Sequence, residues 1–328
     1  MSDTGTLVQP SARPPILAIT GPTACGKSAL AIRIAETFDG VVINADSMQV
    51  YGDLRILSAR PTPEEEARVP HRLFGVLPAS RDCSAEQWRT LAVREIEAAL
   101  ALGKLPILVG GTGLYLRVLQ RGLAAVPEIP EAVRAAVRQR QRTLDPQALH
   151  GELALRDPEM AARLKPADGQ RIARALEVVE ATGRSLADYQ RMQTTVAADY
   201  DALAIAALPP RAALNARIEA RLEKMLEEGA LDEVRALLDQ GLDPALPAMR
   251  AVGVPELASY LYGERTRAQA LAAAQAATRR YAKRQRTWLR HQTPRDFDKA
   301  AMLYAQFSES LDPVIFNEIR WFLLTAQP

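Results

Sequence analysis

At 328 residues, with 48% hydrophobic and 24% charged side chains, the chain exceeds a typical single domain and has the composition of a soluble globular protein with a real core. Only Cys25 and Cys83 are present, and His71, His150 and His291 lie far apart, which excludes a disulfide framework or a thiolate zinc site and suits a reducing cytoplasm. The net charge of +2 conceals an uneven distribution, and no signal peptide or apolar run long enough to span a membrane is read.

Residues 1–13 are polar and proline-punctuated and are read as a loose leader. The apolar run Pro15–Thr20 predicts a buried strand, and Gly21-Pro22-Thr23-Ala24-Cys25-Gly26-Lys27-Ser28 after it is a complete G-x-x-x-x-G-K-[ST] phosphate loop. Ser28–Ala35 reads as the helix behind that loop. Further buried strands are predicted at Val41–Ala45, Leu105–Val109 and Ala202–Leu208, with a helix over 84–102 ended by Gly103. Strands alternating with helices predict an α/β core, a parallel sheet covered on both faces.

Between about 122 and 200 no strand pattern occurs, and prolines 127, 130, 146, 158 and 166 break a helical segment. Asp168 is a plausible N-cap for a helix over Gln170–Thr182 stopped by Gly183. The organisation expected is a discontinuous core, 12–121 and 202–310, an all-helical insertion, 122–201, and a tail, 311–328, with no readable role. Helices are expected at 210–228, 231–240, 253–261 and 266–290.

In the loop, successive backbone N–H groups form a nest for phosphate oxygens. Lys27 adds a point charge and the Ser28 hydroxyl can reach Mg²⁺. Asp46 follows a strand directly, so it should open on the crevice of the loop, either ordering Mg²⁺ or accepting a proton; a turn cap by Asp46-Ser47 is the plain alternative. Gly110-Gly111-Thr112-Gly113 ends another strand and reads equally as a ligand approach or a tight turn. From Arg265 to Arg295 there are nine Lys or Arg and no acid. Arg279, Lys283, Arg286 and Arg290 share one helix face, which favours a nucleic-acid backbone track, while Tyr281, Gln285 and Trp288 share another that could anchor the helix. Arg134, Arg138, Arg140, Arg142, Arg171 and Arg174 could meet a second side of the same ligand. Arg217 and Arg221, taken alone, read as surface partners of Glu219 or Glu223.

Together the phosphate loop, Asp46-Ser47, Val50-Tyr51, Pro70–Leu73, Val109–Tyr115, Gln170-Arg171, Arg174–Glu177, Arg250–Gly253 and Lys283–Arg290 resemble the bacterial tRNA dimethylallyltransferases, or tRNA isopentenyltransferases. The resemblance runs in order from about 14 to 292. It implies a P-loop NTPase-like core with a helical insertion, and transfer of a dimethylallyl group from its diphosphate to the N6 amine of the adenosine 3′-adjacent to the anticodon in certain tRNAs. It implies Asp46, Thr23 and Arg221 as catalytic residues, Gly21, Pro22, Thr23, Ala24, Cys25, Gly26, Lys27 and Ser28 as the diphosphate site, and Mg²⁺ at Ser28. The tRNA contacts it implies are Asp46, Ser47, Met48, Gln49, Thr112, Arg134, Gln170, Arg171, Ile172, Ala173 and Arg174. Further ones are Arg250, Ala251, Val252, Gly253, Val254, Pro255, Lys283, Arg284, Gln285, Arg286, Thr287, Trp288, Leu289 and Arg290. A cytoplasmic monomer and a channel joining the two substrates are implied as well. Two stretches depart from the family pattern: Leu57–Pro61 where Gly-Thr-Ala-Lys-Pro is usual, and Val254-Pro255 where Tyr commonly follows the glycine. The rival readings are a P-loop small-molecule kinase, a prenyltransferase of free adenine nucleotides, and a non-catalytic RNA-binding module.

Overall fold

The computed structural model describes residues 13–192 and 199–326, so the reading of a loose leader lies, for residues 1–12, outside the described residues. The chain divides into two compact units, Met1–Gln120 with Ala198–Pro328, and Arg121–Ala197.

The first unit opens β1 (Pro15–Thr20), α1 (Lys27–Phe38), β2 (Gly40–Asn44), α2 (Pro63–Arg68), β3 (His71–Arg72), α3 (Ala85–Ala101), β4 (Leu105–Gly110) and α4 (Gly113–Arg121). The second unit holds α5 (Glu131–Thr143), α6 (Pro146–Arg156), α7 (Pro158–Arg163), α8 (Gly169–Thr182) and α9 (Leu186–Arg191). The first resumes with β5 (Asp201–Ala207), α10 (Arg211–Glu227), α11 (Ala230–Leu238), α12 (Val254–Leu261), α13 (Arg267–Asp296), β6 (Lys299–Leu303) and α14 (Asp312–Ala326).

All pairings of the sheet are parallel, in the order β3-β2-β4-β1-β5-β6. The four inner strands are almost continuously buried, as expected where helices cover both faces. Register brings their C-terminal ends to one rim: Thr20 lies opposite both Gly110 and Ala206, and Asn44 opposite Val109. Two edge strands, β3 and β6, escape the sequence reading. β3 has two residues and β6 is only partly buried, so neither carries the long apolar run of its neighbours.

The segment read as a tail belongs to the core. α14 buries Ile315, Ile319, Phe322 and Ala326 beside β1 and β5 residues, and Asp312 at its start makes a two-pronged bond to Arg33 at 2.6 and 2.8 Å. Its helical spacing of apolar residues is the signal that was available.

The second unit packs its own core around Val137, Leu153, Ile172, Leu176 and Ala187. Gly183 ends α8 in the left-handed region, as expected, but Asp168 does not cap it by side chain. The Asp168 carboxylate instead accepts from Lys165 N at 3.1 Å.

Candidate active site

The rim of the sheet assembles three loops. Gly26, at φ 90°, turns the chain from β1 into α1, whose first turn has no side-chain cap. The first N–H groups of a helix lack intrahelical partners, so this end has the donors to receive an anion. The loop's far side is held by protein, with Gln306 Nε2 donating to Ala24 O at 3.2 Å and Phe307 N to Cys25 O at 3.3 Å. Cys25 is fully buried, which pushes its thiol up in pKa despite the nearby Lys27 ammonium, so it serves as a neutral filler.

Asp46 stands two residues beyond β2. The buried Asn44 amide fixes its backbone, accepting from Asp46 N at 2.8 Å and donating to Asp46 O at 3.0 Å and Leu73 O at 3.1 Å. Trp88 Nε1 donates to Asn44 O at 2.8 Å, and the Trp88 ring stacks on Tyr115 at 4.4 Å. One oxygen of the Asp46 carboxylate accepts from Met48 N at 3.0 Å, so the turn reading holds for Oδ1. Asp46 nevertheless also lines the cavity described next.

That cavity, about 710 Å³, is walled by Thr23, Lys27 and Ser28 of the phosphate loop, by Asp46, and by Arg217 and Arg221 of α10. Arg250, Tyr281 and Arg284 are among its other polar lining residues, with Glu65 and Lys224, while Met48, Leu57, Ile218, Leu222, Met225 and Val252 are apolar. Burial lowers the pKa of Arg221, with Cys25 and Asp46 acting in the opposite sense, which places its guanidinium near both loop and carboxylate. Surface pairing of these arginines is corrected: Glu219 is taken by Arg279 at 2.8 Å, and both Arg217 and Arg221 face the cavity. Tyr281, read from the sequence as an anchor, is a wall residue. Burial, then the Asp46 charge, raises its phenol pKa, so it remains a neutral hydroxyl beside Thr112. Arg284, on the same helix, stands over the Tyr281 ring at 5.7 Å.

The glycine turn after β4 serves protein packing. A Cβ at Gly111 would meet Gln285 Nε2 at 2.1 Å, and one at Gly113 would meet Trp288 Nε1 at 1.8 Å, so the turn admits α13 side chains. At Gly110 the obstacle is backbone, since a Cβ there would stand 2.0 Å from Ala45 O. Gly110→Ala is therefore expected to lower stability by about 3 kcal/mol, read as a fall in the urea midpoint. Thr112 Oγ accepts from Ser47 N at 3.0 Å and meets Ser47 Oγ at 3.3 Å, tying this turn to Asp46-Ser47.

Several expected tRNA contacts are corrected by burial. Ile172, Ala173, Val254 and Leu289 point into the core and offer RNA no side chain, whereas Ala251, also buried, lines the cavity described above. Gln49 is buried and spends its amide on Ser58 O at 2.9 Å and Ala59 O at 2.8 Å. Gln285 is likewise buried between Thr23 and Gly111. In the second unit Arg140 is held by Glu180 and Glu152, and Arg174 by Glu177, while Arg134 is half-buried and Gln170 and Arg171 are exposed. Arg250, Pro255, Lys283, Arg284, Thr287 and Arg290 are exposed, and Val252, Arg286 and Trp288 half-buried.

The departures at Leu57 and Pro255 are accommodated by the backbone. Leu57 is not among the residues with positive φ, so glycine is not needed there, and its N–H bonds Glu233 at 2.9 Å. Pro255 falls in the first turn of α12, where a missing N–H costs nothing.

With this geometry in place, sequence comparison decides the family. A family model described as IPP transferase matches residues 49–292, and one described as isopentenyl transferase matches 14–75. The chain belongs to the IPP transferase family. The tRNA dimethylallyltransferase of Rhodospirillum rubrum is 54% identical over 324 residues, covering 98% of this chain and 99% of its own. That of Nitrobacter hamburgensis is 57% identical over 277 residues, covering 84% and 87%. Among solved structures, the tRNA isopentenylpyrophosphate transferase of Bacillus halodurans matches with TM-score 0.68 and 32% identity, covering 95% of this chain and 97% of that one. A eukaryotic dimethylallyltransferase acting on tRNA matches with TM-score 0.81 and 26% identity, covering 96% and 80%. This IPP transferase thus has the P-loop-type parallel core that its sequence predicts.

Proposed function

We propose that this IPP transferase moves a dimethylallyl group from dimethylallyl diphosphate to the N6 amine of the adenosine beside the anticodon in tRNA. The observation that carries the reading is the common cavity: the phosphate loop, Asp46 and Arg221 line one space of about 710 Å³, together with apolar side chains that suit an isoprenoid.

The bond from the amine nitrogen to the allylic carbon forms as the bond from that carbon to the diphosphate oxygen breaks. The adenine amine is a weak nucleophile because its lone pair is delocalised into the ring. Asp46 takes the proton released as the new bond forms, and the loop N–H groups, Lys27 and Arg221 receive the negative charge gathering on the leaving diphosphate. A base inside the cavity must first leave its stack, which contacts along α13 offset.

Among the described residues no group of three or more His, Cys, Asp or Glu could cage a metal. Mg²⁺ needs none: it keeps waters and takes one or two protein oxygens plus substrate phosphates, and the Ser28 side chain, on a residue lining the cavity, fits that demand. Bound there, Mg²⁺ would supply charge neutralisation to the diphosphate.

No helix among the described residues is long and apolar enough to cross a membrane. Two free thiols support a cytoplasmic setting.

The test is incubation with Mg²⁺, dimethylallyl diphosphate and unmodified tRNA, reading alkylated nucleosides by mass. ATP consumption without alkylation would favour a small-molecule kinase. For the interface, replacing Lys283 and Arg286 by Ala is expected to weaken tRNA binding and to lower the salt slope by about one unit for each phosphate no longer neutralised. An unchanged slope would assign that face to solvent.

A further inference from the structure

Gln285 lies within the basic stretch of α13, two residues from Lys283 and one from Arg284 and Arg286, yet it is only 6% exposed. Its Oε1 accepts from Thr23 N at 2.9 Å, inside the phosphate loop, and its Nε2 donates to Gly111 O at 3.1 Å, at the end of β4. The amide fits only because residue 111 lacks a Cβ, which would stand 2.1 Å from Nε2. One side chain therefore spans from the RNA-facing helix to the anion loop and the adjacent strand end.

We infer that Gln285 is a positioning residue for the leaving group, setting diphosphate affinity through the phosphate loop rather than contributing to RNA affinity; this rests on the function proposed above. The loop works by presenting fixed backbone dipoles, so its value depends on being held before the ligand arrives. Two clamps hold it. Gln306 and Phe307 occupy the carbonyls of Ala24 and Cys25, and Gln285 occupies the N–H of Thr23, next to the residues that wall the cavity. The position calls for an amide, one acceptor and one donor on the same end group. Leucine leaves both Thr23 N and Gly111 O unpaired in a buried place. Glutamate keeps the acceptor for Thr23 but cannot donate to Gly111, and adds negative charge beside the anion seat.

The experiment titrates inorganic pyrophosphate with Mg²⁺, and separately unmodified tRNA, into the full chain carrying Q285L, Q285E or K283A. Q285L is expected to lose about ten- to a hundredfold in pyrophosphate affinity, with a matching rise in the KM for dimethylallyl diphosphate. Its tRNA affinity and salt slope should stay within twofold of the parent. Q285E should lose at least as much for pyrophosphate, and it provides the same readout should Q285L fail to fold. K283A should show the opposite pattern. If the Gln285 variants weaken tRNA and pyrophosphate equally, or tRNA alone, the assignment is overturned. If pyrophosphate binding depends on Gln285 but the parent protein alkylates no tRNA, the functional reading falls while this one stands.

Discussion

Asp46→Asn is expected to lower kcat by about 10²–10⁴-fold, the range for loss of a general base, with little change in tRNA affinity. The substitution is nearly isosteric. An Asn side-chain oxygen can still accept from Met48 N, as Asp46 Oδ1 does at 3.0 Å, and the Asn44 bonds to the residue 46 backbone are untouched. What disappears is the capacity to take the proton from the adenine amine. Single-turnover alkylation alongside filter binding of tRNA separates the two effects. A near-normal rate would remove Asp46 from the chemistry and leave it a turn residue, and a parallel loss of tRNA binding would make it an RNA contact.

Lys27→Ala is expected to weaken dimethylallyl diphosphate binding by about 30-fold or more, the cost of removing one member of a largely desolvated charge pair. Lys27 is the first residue of α1, only 8% exposed, with its ammonium on the cavity. Alanine is the best helix former, so α1 survives the change. Because Lys27 belongs to the anion seat and not to α13, tRNA affinity should hold. Equilibrium binding of each substrate alone checks this, and equal losses in both would contradict the division of labour between loop and helix.

The phosphate loop, the inner strands and the helical insertion were legible because each is local. A strand buried on both faces must be an unbroken apolar run, and the loop motif sits between such a run and a helix. Asp46 was legible for a related reason, being the first acidic residue past a strand end in a parallel sheet. What could not be read locally was who faces whom. The glycines 110, 111 and 113 mark a close approach, but the groups approaching are Ala45, Gln285 and Trp288, and the last two lie about 170 residues away, in α13. The same long-range packing explains why Ile172, Val254 and Leu289 fell inside stretches expected to touch RNA yet point inward. A helix carrying a contact face must bury its other face, so contiguous segments cannot be contacts throughout. Arg221 shows the converse. Its sequence neighbours taken alone suggested surface pairing, while the family resemblance placed it at the diphosphate, and the fold sets it near the loop and Asp46.

The two residues behind the phosphate loop, Gln306 and Phe307, lie beyond β6 and are made after every wall of the cavity. A nascent chain therefore presents Asp46, Arg217 and Arg221 before the residues that back its phosphate loop exist. A chain cut short ahead of β6 is expected to lack an edge strand of the sheet and both partners of the Ala24 and Cys25 carbonyls, and to bind pyrophosphate more weakly than the full chain.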